Sequence, residues 1–148
     1  MIEFLKAYAF LAPYGIMGGV IVAMTQIWKN TSQSITTFED SISKEYREII
    51  RAIPYNALIG AELTEIEKDK VYNEIYNYMD FCNEQIYLRK QGRIRKDTWQ
   101  NWQSGMKMNF ALPIFNEISI NIFDELNDIF EELRKVKNTN FNTDPKYW

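Results

Sequence analysis

The sequence predicts an all-α protein: one N-terminal transmembrane helix followed by a small cytoplasmic bundle of about four helices. Three observations predict this. The run from Ala7 to Trp28 carries no formal charge, in a chain of which 25% of residues are charged. Beyond it, apolar residues recur at spacings of three and four, the period of an amphipathic helix. No segment alternates with period two for long enough to suggest a strand.

The first element is the anchor, residues 1–28. A helix rises about 1.5 Å per residue and the hydrocarbon core of a bilayer is about 30 Å thick, so about 20 apolar residues suffice to cross. Tyr8 and Tyr14 lie toward one end of the run and Trp28 closes the other, as interfacial aromatics do. Pro13 sits near the start, where a missing backbone hydrogen bond costs least. Two other readings compete: a buried soluble helix, and a cleaved signal peptide. The latter needs a positive n-region and a small-x-small cleavage site. Here Lys6 is offset by Glu3, and Ile21-Val22-Ala23 is a poor site. Lys29, Lys44, Arg47 and Arg51 follow the run, so the positive-inside bias places the C-terminal domain in the cytoplasm of a single-pass inner-membrane protein. Gly15, Gly19 and Ala23 recur every four residues on one helix face. That is either a packing face for a second membrane helix or the ordinary abundance of small residues in such helices.

Residues 29–35 read as a polar juxtamembrane linker. The helical domain then covers 36–136. Its first helix carries the stripe Phe38, Ile42, Tyr46, Ile49 and Ile53, with Thr36 or Thr37 as cap and Pro54 as terminator. The second begins near Thr64, with Glu67 as capping-box partner. Its stripe is Tyr72, Ile75, Met79, Cys82 and Ile86, widened by Val71, Tyr78, Phe81 and Leu88, and Gly92 suits the C′ position. Asp97 or Thr98 starts a third helix with Trp99, Trp102, Met106 and Phe110 on one face, and Pro113 breaks it or opens the next. The last helix is expected from about Ile114 to Val136 on Phe115, Ile118, Ile122, Leu126, Ile129 and Leu133, with Phe123 and Phe130 beside them. Residues 137–148 form a polar tail, expected to be loosely held.

The stretch Tyr76–Phe115 contains Tyr78, Asn83-Glu84, Leu88, Lys90, Gly92, Ile94, Trp99, Trp102 and Gly105. This pattern resembles a widespread set of small, uncharacterised bacterial proteins with an N-terminal membrane helix. Their soluble part carries an aromatic, Asn-Glu, Leu-x-Lys-x-Gly-x-Ile and Trp-x-x-Trp-x-x-Gly. The resemblance covers about a quarter of the chain. It implies a bacterial, membrane-anchored helical protein and no particular activity.

Composition removes whole classes of chemistry. There is no histidine among 148 residues and one cysteine, Cys82. A histidine-dependent triad, a histidine-ligated metal, an intramolecular disulfide and a cysteine metal cluster are therefore excluded. The lone thiol suits a reducing compartment. Net charge is −3, and removing residues 1–28 takes one acid (Glu3) and one base (Lys6) and leaves it unchanged. No DNA partner is expected of so mildly acidic a domain. No P-loop, dinucleotide-binding glycine pattern or nucleophile elbow is present. Asp80 and Glu84, four apart, would give only an ill-defined all-oxygen site, so no metal and no cofactor are expected.

One cluster stands out. Arg89, Lys90, Arg93, Arg95 and Lys96 crowd a helix–turn–helix junction, with Trp99 and Trp102 directly after. Guanidinium forks match phosphate geometry and indole rings stack on bases. The cluster therefore suggests a site for an anionic ligand, a nucleotide or an acidic lipid headgroup. The competing reading is that these bases neutralise Asp124, Glu125, Asp128, Glu131 and Glu132 and that the tryptophans are core. The expectation is a non-catalytic membrane-anchored binding or effector module. It would self-associate and sense a partner or an anionic ligand, with a stress or anti-phage role by analogy alone. The alternative is an accessory subunit of a larger membrane complex.

Overall fold

The computed structural model describes residues 2–148 apart from Asn127, with side chains described from Gly19 onward among the first twenty. Every regular element among the described residues is helical. In order they are α1 (Ile2–Ala52), α2 (Tyr55–Leu58), α3 (Glu65–Lys90), α4 (Lys96–Phe110), α5 (Pro113–Glu125), α6 (Glu131–Asn138) and a 3₁₀ turn (Pro145–Tyr147). The chain divides into two units, Met1–Phe38 and Glu39–Trp148.

The first unit differs from expectation in two ways. The stretch 29–35 is not a linker but helix, because Lys29 to Ile35 contains neither Gly nor Pro to interrupt it. The hydroxyls of Thr36 and Thr37 cap nothing; they donate to the carbonyls of Ser32 and Gln33 one turn back (3.1 and 3.0 Å). Second, among the described residues no helix is long and apolar enough to cross a membrane. The span expected over Ala7–Trp28 is therefore not supported. Gly15, and the rest of the run before Gly19, lie outside the described side chains.

In the second unit, local signals place most boundaries. α1 ends at Ala52, two residues before Pro54. Thr64 and Glu67 form the capping box at the head of α3: the Glu67 amide donates to Thr64 Oγ1 (3.3 Å) and the Thr64 amide to Glu67 Oε2 (2.9 Å). At the other end Gly92 adopts φ 70°. Its amide donates to Arg89 O and that of Arg93 to Leu88 O (2.9 and 3.0 Å), completing a Schellman closure. Pro113 occupies the first turn of α5, where its missing N–H is no loss.

α3 is the centre of the bundle. It packs against α5, α6 and the C-terminal 3₁₀ turn, and α4 packs against α5. Val71, Ile75, Tyr78, Met79, Cys82 and Ile86 are fully enclosed on it, each large apolar side chain contributing about 1.5–3 kcal/mol of burial. Tyr78 meets Phe115 edge-on at 5.5 Å and Phe110 at 5.6 Å, and Phe110 stacks on Phe141 at 5.6 Å.

The single helix expected over 114–136 is two. α5 stops at Glu125, where Leu126 leaves helical geometry (φ −123°, ψ 47°), and α6 starts at Glu131. The break buries Phe130, Leu133 and Val136 while Ile129 stays 51% exposed. A continuous helix would have put Ile129 on the same face as Ile122 and Leu133. The tail is not loose either. Phe141 and Pro145 are buried, and the Thr143 carbonyl accepts from Trp99 Nε1 (3.2 Å) and Gln103 Nε2 (2.5 Å). Asn140 and Phe141 hold φ 54° and 56° to make this turn, costly for a bulky residue and sustained by the burial of the Phe141 ring.

Candidate functional site

The basic junction joins α3 to α4. Arg89 is 2% exposed. Its Nε and Nη2 donate to Asp144 at 2.7 and 2.5 Å, and its Nη1 donates to the Ile94 carbonyl at 2.6 Å. All the guanidinium edges that could grip a phosphate are thus turned inward. Arg95 donates through its backbone amide and its Nε to Glu39, each at 2.9 Å, with a further contact from Nη2. Lys90 pairs with Glu132. Arg93 and Lys96 are exposed. Of the two tryptophans, Trp99 is 1% exposed in the core and Trp102 is half-buried, lining a cavity that none of the five basic residues lines. The seven residues do not converge on one ligand-sized pocket.

The expected last-helix acids supply one partner of this cluster, and the other two come from outside that helix. Of the last-helix acids, Glu132 takes Lys90; Arg95 is taken by Glu39 and Arg89 by Asp144, each more than 50 residues away in sequence. Glu39 is 4% exposed and also accepts from Thr98 Oγ1 at 2.8 Å. It serves α4 as a cap borrowed from α1: Arg95, the N-cap residue, makes no side-chain cap of its own, and a carboxylate at a helix start is favoured by the dipole. Burial pushes the Glu39 carboxyl up, but the hydrogen bonds from Arg95 and Thr98 outweigh it and hold it below the usual range. The Arg89 hydrogen bonds hold Asp144 below its usual value, against a smaller opposing effect of burial.

A second feature lies between α1, α3 and α4. A cavity of about 120 Å³ is lined by Ile42, Ser43 and Tyr46 of α1, Tyr78, Phe81, Cys82 and Gln85 of α3, and Asn101, Trp102, Gly105 and Met106 of α4. None of these carries a formal charge. The Cys82 thiol is buried and pushed up to about 12 by that burial, so it is no nucleophile at neutral pH. The Tyr78 hydroxyl accepts from Asn109 Nδ2 at 2.9 Å. Gln85 is 1% exposed, and its Oε1 has no hydrogen-bond partner. An unmet buried acceptor of this kind costs about 1–3 kcal/mol. Gln85 escaped the sequence reading, although it interrupts the apolar face of α3 between Cys82 and Ile86, and a polar side chain in such a stripe is the signal that could have found it.

Asp80 and Glu84, with Asp128, Glu131 and Glu132, line an open acidic groove that Lys90 partly neutralises. Among the described residues no three His, Cys, Asp or Glu side chains are grouped to hold a metal ion. Near the end of α6, Lys137 donates to Ser119 Oγ at 2.7 Å and lies over the rings of Phe123 and Phe110 at 5.3 and 5.7 Å. Its burial lowers its pKa, and the packing reads as a satisfied core cation.

No family model matches the chain, and no solved structure does. A comparison 87 positions long, covering 55% of the chain, is 30% identical to a protein of Acidianus two-tailed virus described as "Uncharacterized protein ORF529". The match spans 16% of that protein's length, so it likens a part of this chain to a part of a much larger one.

Proposed function

We propose that this protein is a non-catalytic helical binding module attached to a membrane through its N-terminal apolar length, with Glu39–Trp148 as the part that engages a partner. One observation carries the reading. Val20, Ile21, Val22, Met24, Ile27 and Trp28 lie 51–81% exposed around α1. So many large apolar side chains left exposed within nine residues call for cover by lipid or by another helix. The bacterial, inner-membrane setting with the bundle in the cytoplasm belongs to this proposal. The absence of histidine and the inert setting of Cys82 support a binding role over a catalytic one.

The test is fractionation of the full chain expressed in bacterial cells. The proposal expects recovery in the membrane fraction, resistance to alkaline carbonate, and release on deleting residues 1–28. Full-length protein in the soluble fraction would overturn it. Gly19 has nothing within 4 Å of the position of a Cβ, leaving room for a close helix–helix approach there. This favours a second reading, that the same length packs on a helix of a larger membrane complex. Gly19→Leu separates the two: it disrupts a complex or a homo-oligomer but leaves simple membrane attachment intact.

The basic junction has a structural role in this proposal. With Arg89, Lys90 and Arg95 engaged by carboxylates, a nucleotide or acidic headgroup would have to displace Asp144, Glu132 or Glu39 to be gripped by them.

A further inference from the structure

We infer that the cavity between α1, α3 and α4 is a binding site for a small neutral molecule with an apolar body and a single N–H or O–H donor. Three independent features define that ligand. The first is Gln85, almost wholly buried on α3, whose Oε1 lacks a hydrogen-bond partner. A buried acceptor normally has one, and a donor delivered into the cavity it lines would supply it.

The second feature is Gly105. It lies in the interior of α4, where glycine is unfavourable relative to alanine. Its backbone does not require glycine, for its φ is not positive, and a Cβ built there meets nothing within 4 Å. Neither turn geometry nor a close approach explains the residue. What glycine does at 105 is keep side-chain atoms out of the cavity, between Trp102 and Met106.

The third is the wall itself. Its lining residues include aromatic and aliphatic side chains but no Lys, Arg, Asp or Glu, so an ion entering it would lose its hydration without compensation. Size sets the scale. A cavity of about 150 Å³ holds benzene, and this one, at about 120 Å³, admits a single small ring or a short chain of similar bulk.

Phenol and toluene, equal in shape and differing in one donor, are the probes. Each is titrated into the full-length protein in detergent, read by tryptophan fluorescence and by backbone amide NMR shifts. Phenol is expected to bind saturably, to shift amides around residues 42–46, 82–85 and 102–106, and to bind about tenfold more tightly than toluene. Gln85→Leu should abolish that preference and leave toluene binding intact. Gly105→Leu should block both probes; should it fail to fold, Gly105→Ala, which adds one methyl to open space, should weaken both. A cavity that serves only to hold water would show no saturable shift with either probe at millimolar concentration, and that result overturns the proposal. Binding that ignores both substitutions, or shifts that map elsewhere, overturns it equally.

Discussion

Arg89 and Asp144 lie 55 residues apart and meet in a two-pronged ion pair, with the arginine side chain 3% exposed and the aspartate 20%. This pair fastens the C-terminal segment to the central helix α3. It also accounts for the order of the segment, because Asp144 additionally caps the 3₁₀ turn by accepting from the Lys146 amide at 3.1 Å.

Removing Asp144 strands a buried cation. Asp144→Ala should cost about 3 kcal/mol, within the range for breaking a buried pair by deleting one partner. Urea unfolding of the variant checks this. A loss below about 0.5 kcal/mol, the level of an ordinary surface substitution, would mean that the tail is not held by this contact.

Acid should weaken the bundle through two named carboxylates. Glu39 and Asp144 both have folded pKa values held below the unfolded ones. A group so shifted contributes stability above its unfolded pKa, about 4 for carboxylates, and loses it as pH falls through the folded pKa. Stability should therefore decline from about pH 4 downward. In Glu39→Ala and Asp144→Ala the profile should start lower and fall less over that range. Parallel profiles for wild type and variants would refute the assignment.

Cys82 should be silent in the folded protein. Its thiol is buried and raised to about 12, leaving a negligible thiolate fraction at neutral pH. A thiol-specific disulfide reagent should label it only as fast as the bundle opens, and stoichiometrically in denaturant. Rapid labelling under native conditions would show that α1 does not cover this part of α3 in solution.

Two glycines should respond in opposite directions. Gly92 holds φ 70° in the Schellman closure of α3, so Gly92→Ala should destabilise by about 1–2 kcal/mol. Gly105 has ordinary helical geometry and open space at its Cβ. Gly105→Ala should stabilise by up to about 1 kcal/mol. Thermal unfolding of both variants reads the contrast; a destabilised Gly105→Ala would mean that this position is tightly packed.

Much of the fold was legible in the sequence wherever the cause was local. The Thr64–Glu67 box, Gly92 after Arg89-Lys90, and Pro54 and Pro113 each act within a few residues, so each marks its own boundary. The break at Leu126 was not legible, because the 3–4 period runs on through Ile129. The core takes Phe130, Leu133 and Val136 in preference, and burying them is worth more than one continuous helix. The candidate cavity was half legible. Tyr46, Tyr78, Phe81 and Cys82 lay on recognisable stripes, but Gln85 and Gly105 gain meaning only when α1, α3 and α4 are brought side by side.

The basic junction shows most directly where reading from sequence ends. Charge density by itself marked Arg89, Lys90, Arg93, Arg95 and Lys96 as a group that must be neutralised or must bind an anion. It could not choose the partners, because a carboxylate 55 or 56 residues away competes on equal terms with one nearby until the chain is folded. By itself the sequence determined an all-helical chain, its local starts and stops, the absence of histidine chemistry and an apolar N-terminal length. Tertiary structure decided that Glu39 takes Arg95 and Asp144 takes Arg89, that the tail docks, and that a buried Gln85 oxygen faces no donor. The physical reason is that helix caps and turns are settled by neighbours in sequence, whereas buried charges and acceptors are settled by whatever packing brings within three ångströms.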